Sequence, residues 1–74
     1  MWKQGNIKVG GSTIGYWVKS FEEGSQFGIN NGRISKLMLK RDGRIIANYD
    51  RGWDIIPFDS EAEAALADLM KKFN

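Results

Sequence analysis

The sequence has 74 residues, a formal net charge of +2, no Cys and no His. We expect residues 1–74 to form one small domain with a thin hydrophobic core and modest stability. The absence of Cys excludes disulfides, thiolate metal sites and Cys nucleophiles, and it leaves the redox compartment open. The absence of His removes the side chain best suited to proton transfer near neutral pH. Composition therefore argues against catalysis.

The chain contains no signal for membrane insertion or export. No apolar run approaches the roughly 18 residues of a membrane-spanning helix. The N-terminus lacks the apolar stretch of a secretory signal. We therefore expect a cytoplasmic protein with no membrane partner.

Charge is spread unevenly along the chain. Residues 1–51 carry nine Lys or Arg against four Asp or Glu, whereas residues 52–74 carry two against five. The basic excess is densest in residues 33–44, with five basic residues and one acidic residue. Such asymmetry marks some polyanion-binding surfaces. A solvated sheet beside a helix with an acidic N-terminus gives the same pattern, so both interpretations stay open.

The first predicted element is a β-hairpin within residues 4–21. Gly10-Gly11 forms a permissive two-residue turn that pairs Val9 with Ser12. One face of this hairpin collects Ile7, Val9, Ile14, Tyr16 and Val18, and the other collects Trp2, Lys8, Thr13, Trp17, Lys19 and Phe21. Large aromatic side chains on both faces are unusual for a sheet that is covered on one side only.

A polar, glycine-rich segment follows, and then a central hairpin. Residues 26–29 are predicted as a short strand that turns at residues 30–32. For the central hairpin we predict the three-residue loop Arg41-Asp42-Gly43, with Gly43 left-handed, because it gives one clean apolar face. It pairs Leu39 with Ile45 and Leu37 with Ala47. The predicted buried face is Leu37, Leu39, Ile45, Ala47 and Tyr49, and the predicted outer face is Ile34, Lys36, Met38, Lys40, Arg44, Ile46 and Asn48.

The chain then turns at Gly52, and we expect residues 53–56 to end a strand or to lie at a sheet edge, because Pro57 cannot donate to a ladder. Ser60 and Glu63 fit a capping box at the start of a helix over about residues 60–73. Ala62, Ala65, Leu66, Leu69 and Phe73 recur on one face at helical spacing. The sequence therefore predicts an α+β fold: an antiparallel meander of four or five strands within residues 4–56, with one C-terminal helix packed on one face.

Three segments carry a family resemblance: Gly-Arg-Ile-Ser-Lys-Leu at 32–37, Asn-Tyr-Asp-Arg-Gly-Trp-Asp at 48–54, and the Glu-Ala-Leu-rich ending. From about Tyr16 onward the chain resembles a family of short uncharacterised proteins of prophages and other mobile elements of gut bacteria. The run from Tyr49 to Asp54 is its most specific part. The family has no assigned function, so the resemblance implies a genomic setting and supplies no active site.

Catalytic and metal-binding patterns are poorly supported. Asp50, Asp54 and Asp59 carry the oxygen ligands that divalent cations prefer, but they lack calcium-loop spacing and an acid or base partner. Asp in turns commonly accepts from backbone amides or pairs with a neighbour such as Arg51. No glycine-rich phosphate loop of known spacing occurs. We predict no enzyme activity, no cofactor and no metal site, and a hydrolase using Asp50 and Asp54 is the weakest hypothesis.

Aromatic and basic residues are the candidates for binding. They are Trp17, Lys19, Phe21, Lys36, Lys40, Arg44, Arg51 and Trp53. Basic groups that track phosphates beside rings that stack on bases are typical of single-strand binding, and exposed apolar groups mark protein contacts. Three structural alternatives stay open. The N-terminal arm folds over this face, the Lys stems cover its apolar groups, or Trp53 closes the core while Arg51 stacks on it or pairs with Asp50.

We therefore expect a non-catalytic protein-interaction module, which binds a protein partner or a second copy of itself. The family resemblance suggests an accessory factor of a phage or mobile element that binds a host protein, for example an inhibitor of host defence. The alternative is a nucleic-acid-binding module that uses the basic, aromatic sheet face.

Overall fold

The computed structural model describes residues 2–74. Its elements are strands β1 (Trp2–Val9), β2 (Ser12–Ser20), β3 (Ile34–Arg41), β4 (Arg44–Asp50) and β5 (Trp53–Ile55), a 3₁₀ turn (Ile29–Asn31) and helix α1 (Ser60–Phe73). The strands pair in sequence order, each antiparallel to the next. The predicted α+β meander with a C-terminal helix is thus confirmed. The first strand begins at Trp2, before the predicted limit of residue 4.

The core lies between the sheet and α1, which contacts β1, β2 and β3. Ala62, Ala65 and Leu69 of the helix are fully buried, and Leu66 and Phe73 pack against the same cluster, so the predicted helix face is confirmed. The sheet contributes Ile14, Val18, Ile34, Leu37, Leu39 and Ala47, all at most 1% exposed. Each large apolar side chain removed from water contributes about 1.5–3 kcal/mol, so this one layer supplies most of the hydrophobic stabilisation.

The first hairpin has the predicted register. Val9 pairs with Ser12 and Ile7 with Ile14 across the Gly10-Gly11 turn, where Gly10 is left-handed with φ of 58°. Ile7, Val9 and Tyr16 pack against the buried cluster. A two-residue turn and a period-two apolar pattern agree here, which is why the sequence determines the register.

The predicted register of the central hairpin is wrong. The turn is the two-residue Asp42-Gly43, whose φ values of 53° and 78° are those of a type I′ turn, and it pairs Arg41 with Arg44. A bulge then shifts the ladder, so that Leu39 pairs with Ala47 and Leu37 with Tyr49.

The bulge exchanges the roles of the two isoleucines that follow the turn. Ile45 lies opposite Lys40 and is 43% exposed, whereas Ile46 is only 9% exposed and joins the core. The extra residue in β4 reverses their predicted sides, because a bulge changes which face the residues around it occupy.

Ile34 was predicted on the outer face and is instead fully buried in the core. The pairing of β2 with β3 shifts by one residue between Lys19 and Ser20, so that Ser20 pairs with Ile34 instead of with Ser35. Such a shift sends the next side chain to the opposite face of the sheet. Ser35, at the shift, is nearly buried and its hydroxyl donates to the Lys19 carbonyl at 3.4 Å.

Residues 21–33 form a folded loop, so the predicted strand over residues 26–29 is wrong. Backbone amides of Phe21 and Ser25 donate to the carbonyls of Arg33 and Gly32 at 3.0 and 3.1 Å, which closes the loop on itself. Asn30 and Asn31 are left-handed, a conformation that ends extended structure and that Asn tolerates.

The N-cap of α1 is Asp59 rather than the predicted Ser60. The Asp59 carboxylate accepts from the Ala62 amide at 2.8 Å. Arg41 donates to Asp59 at 2.8 Å and to Glu61 at 3.0 Å, which ties the central hairpin to the start of the helix. The hydrogen bond from Arg41, followed by that from the Ala62 amide, lowers the pKa of Asp59 from 3.8 to about 2. No helix of residues 2–74 is long and apolar enough to cross a membrane.

Candidate binding face of the sheet

The sheet face opposite α1 carries a set of neighbouring aromatic and basic side chains. Cross-strand pairing places Trp2 beside Lys19, Lys19 beside Lys36, and Trp17 beside Met38. Lys40 lies two residues beyond Met38 along β3, opposite Gly15. We call this set the basic aromatic face, and its members are Trp2, Trp17, Lys19, Lys36, Met38 and Lys40.

Two of its lysines lie over aromatic rings. The Lys40 ammonium is 6.0 Å from the centroid of the Trp17 ring, and the Lys19 ammonium is 5.5 Å from that of Phe21. In this arrangement the aliphatic stem covers part of a ring while the charge reaches water. Trp2 at the sheet edge is 56% exposed, so its ring retains free surface. The N-terminal strand therefore pairs in the sheet and adds an aromatic side chain to the face.

The register sets Lys19 and Lys36, two residues of like charge, directly opposite each other in adjacent strands on this face. Like charges at such a position destabilise a sheet. Asp50, the next residue across from Lys36, relieves this only in part, because its carboxylate is 3.9 Å from the Lys36 ammonium. An anion bound between the two lysines would remove the remaining repulsion.

A shallow groove of about 200 Å³ lies in the middle of the basic aromatic face. Its lining includes Trp2, Trp17, Met38 and Asn48, and also the charged pair Lys36 and Asp50. The groove therefore combines aromatic surface with an adjacent cation.

Arg44, predicted on this face, does not belong to it by register. Arg44 pairs with Arg41, whose side chain reaches Asp59 and Glu61 at the start of the helix. Ile45 is the residue opposite Lys40. The two-residue turn followed by a bulge causes this exchange.

Arg51 and Trp53 lie at the corner between β4 and β5. Arg51 is left-handed with φ of 58°, its side chain is 67% exposed, and its Nε is 3.5 Å from the Asp50 carboxylate. Trp53 packs edge-on against Tyr49, with ring centroids 5.1 Å apart. Trp53 is 38% exposed, so it contacts the core residue Tyr49 without closing the core, whereas Arg51 pairs with Asp50 as the structural alternative holds. The edge position of residues 53–55 before Pro57 is confirmed.

The carboxylates considered as cation ligands have separate partners. Asp50 contacts Lys36 and Arg51, Asp54 accepts from the Asn48 amide at 3.4 Å, and Asp59 binds Arg41. Within residues 2–74 no three His, Cys, Asp or Glu side chains are placed to share a metal ion. The absence of catalysis and of a metal site stays a prediction.

Sequence reasoning missed an apolar patch that follows the edge strand. Ile55 and Ile56 are exposed, and Phe58 is 84% exposed. We call Ile55, Ile56 and Phe58 the apolar edge. The signal was present in the sequence, because three large apolar residues flank a Pro that ends a strand.

The family model described as Domain of unknown function (DUF7678) matches residues 1–74. The chain belongs to this family. Comparison with curated proteins gives no match, and comparison with solved structures gives none. The family supplies no activity to transfer, so a function must be argued from the geometry of the two exposed surfaces.

Proposed function

We propose that this protein is a non-catalytic binding module that binds single-stranded nucleic acid on its basic aromatic face. The observation that carries the proposal is the placement of Trp2 and Trp17 among Lys19, Lys36 and Lys40, on the side of the sheet away from the helix. Rings on such a surface stack on bases, and lysines at their sides neutralise phosphates.

The residue types on this face favour a polyanion over a protein partner. Lysine is depleted in the buried centre of protein–protein interfaces, because burying an ammonium group is costly. Here the lysines stand beside the rings, and two of them face each other across adjacent strands. A phosphate backbone compensates such a pair, whereas an apolar protein surface would desolvate it.

The test is a titration of labelled single-stranded DNA, single-stranded RNA and duplex DNA at several salt concentrations. We expect the single strands to bind, with affinity that falls as salt rises because counterions are released. Lys36→Glu with Lys40→Glu should abolish binding, and Trp17→Ala should weaken it.

The matched control for the charge reversal is Lys3→Glu with Lys71→Glu, at two exposed lysines away from the basic aromatic face, which changes the net charge equally. This control should bind nearly as well as the unchanged protein. Equal loss in both double variants, or no binding even at low salt, would contradict the proposal.

A second candidate function is protein binding through the apolar edge. Phe58 and Ile56 are the two most exposed large apolar residues of the described chain, and they follow a sheet edge that can pair with another strand. This candidate corresponds to the role that the family resemblance suggests, an accessory factor of a phage or mobile element that binds a host protein. It is also compatible with a homodimer.

The two surfaces separate the two candidates experimentally. Phe58→Ser with Ile56→Ser should abolish protein capture or self-association and leave nucleic-acid affinity unchanged. Trp17→Ala should have the opposite effect. Sedimentation over a concentration series distinguishes a homodimer from a partner of another kind. A monomer whose capture profile is unaffected by the Phe58 and Ile56 changes would exclude the apolar edge as a binding surface.

A further inference from the structure

A second hollow lies at the end of the sheet, next to the basic aromatic face. Its volume is about 330 Å³, and Lys19, Phe21, Phe27, Ser35, Lys36 and Arg51 line it. We call it the loop pocket. We propose that the loop pocket binds the terminal phosphomonoester and end nucleotide of a nucleic-acid strand, a proposal that rests on the proposed function.

Hydrogen bonds between the walls hold the loop pocket in shape. The Arg51 amide donates to the Ser35 carbonyl at 3.0 Å, and the Ser35 hydroxyl donates to the Lys19 carbonyl at 3.4 Å. The Tyr49 hydroxyl donates to the Phe27 carbonyl at 2.8 Å, which anchors the loop wall to β4. These bonds join the corner, strands β2, β3 and β4 and the loop, so the backbone that carries the cationic and aromatic groups is held in place before a ligand arrives.

The charge of the loop pocket fits a phosphomonoester. Lys19, Lys36 and Arg51 bring three positive charges. Asp50 is the carboxylate in contact with them, 3.9 Å from the Lys36 ammonium and 3.5 Å from Arg51 Nε. The excess of two positive charges matches a terminal phosphate, which carries about −1.5 to −2 at neutral pH. An internal phosphodiester carries a single negative charge and leaves part of this excess unbalanced.

The aromatic walls suit the nucleotide next to that phosphate. Phe21 and Phe27 are each about half exposed, so their rings present free surface to a base. The volume lies at the lower end of the range for small-ligand sites, about 300–1,000 Å³, and so suits one nucleotide. Lys36 lines both the loop pocket and the groove between Trp2 and Trp17. A strand whose end lies in the loop pocket therefore continues onto the basic aromatic face.

The experiment compares short oligonucleotides of one sequence that end in a 5′-phosphate, a 3′-phosphate or hydroxyls only. We expect one phosphorylated end to bind about tenfold more tightly than the hydroxyl-ended strand, the gain expected of one charge-assisted hydrogen bond. Arg51→Asn should remove this gain, so that phosphorylated and hydroxyl-ended strands bind equally, and it should keep the fold because Asn tolerates the left-handed backbone at this position. Asp50→Asn should increase the gain, since it removes the competing carboxylate. The control is Lys71→Asn on the helix, which should change neither value.

The outcomes separate this inference from the proposed function. If all three strands bind equally and with the expected salt dependence, the loop pocket assignment fails and the proposed function stands. If no strand binds, both fail. Competition with 5′-AMP and with inorganic phosphate identifies the source of the phosphate. If 5′-AMP binds as tightly as the phosphorylated strand, the loop pocket binds free nucleotides and the assignment to strand ends is wrong.

Discussion

The two faces of the sheet differ in what their side chains do. On the helix side, Ile14, Leu39 and Leu69 are fully buried, and Arg41 binds two carboxylates at the start of α1. On the basic aromatic face, Trp2 is mostly exposed and Lys19 faces Lys36 without a full counter-charge. Stability is thus concentrated on one face, while the other holds groups that lower stability slightly and remain free to bind. Substitutions on the two faces should therefore have separable effects.

Leu69→Ala on the helix side should have the largest effect on stability. Truncating a fully buried Leu leaves a cavity and costs about 2–5 kcal/mol, a large share of the roughly 5–15 kcal/mol that stabilises a typical domain. Urea unfolding followed by far-UV circular dichroism measures the loss. Leu66→Ala, on a half-buried neighbour, should cost clearly less. A loss at Leu69 no greater than at Leu66 would show that the helix side is not the main source of stability.

Gly28→Ala tests the loop of residues 21–33, which contributes Ile29 to the core and Phe27 to the loop pocket. A Cβ at Gly28 would collide with the Gly32 carbonyl oxygen, and backbone cannot move aside as a flexible side chain does. Overpacking of this kind costs about 1–3 kcal/mol. Urea unfolding measures this loss of stability. The affinity for a strand with a terminal phosphate should fall in the same variant.

The matched control is Gly11→Ala in the first hairpin, where an added Cβ meets nothing within 4 Å. This variant should be neutral or slightly more stable, because Ala lowers the entropy of the unfolded chain. A Gly28 variant as stable as the Gly11 variant would mean that the loop rearranges at no cost.

The sequence predicts the architecture and the first hairpin well because independent local signals agree there. Around the central turn they do not. Two arrangements each bury a set of apolar side chains: a three-residue loop buries Ile45, and a two-residue turn followed by a bulge buries Ile46. The choice depends on packing against α1, which local pattern does not contain. Likewise Asp59 and Ser60 are both good N-caps, and Asp59 is the one that Arg41 reaches.

The same reason explains how much of the candidate site was predictable. Alternation along β2 and β3 placed Trp17, Lys19, Lys36 and Lys40 together correctly. Arg44 was misplaced because its face depends on the bulge. Phe27 was overlooked because the loop pocket joins a loop, two strands and a corner that are distant in sequence. Only tertiary structure brings such groups together.

The pH dependence of stability should come in part from the helix side, through Asp59. Its pKa in the folded protein is lowered from 3.8 to about 2 by Arg41 and the Ala62 amide. A lowered pKa means that the unfolded chain binds the proton more readily, so this contribution is fully present above about pH 4. It is lost as the pH falls toward 2.

Urea midpoints from pH 7 to pH 2 test this for the unchanged protein and Asp59→Asn, which keeps an N-cap acceptor. The unchanged protein should be the more stable above pH 4, and the difference should vanish near pH 2. Arg41→Met removes the main cause of the low pKa, so it should reduce the pH-dependent part. A difference between the two proteins that is constant over the whole range would contradict the assignment to Asp59.

Lys19→Gln on the basic aromatic face should have the smallest effect on stability, and in the opposite direction. Removing one charge of the Lys19–Lys36 pair relieves a cross-strand repulsion, so stability should rise by a few tenths of a kcal/mol, roughly 0.2–0.5. Affinity for single strands should fall in the same variant, because a phosphate contact is lost.

Lys3→Gln is the control for this change, since exposed Lys3 pairs with uncharged Val18 on the helix side of the sheet and should change neither quantity much. A binding surface keeps charges that destabilise the fold. If Lys19 belongs to such a surface, its replacement should therefore raise stability and lower affinity. If Lys19→Gln lowers stability and leaves affinity unchanged, Lys19 instead stabilises the sheet through its contact with Phe21.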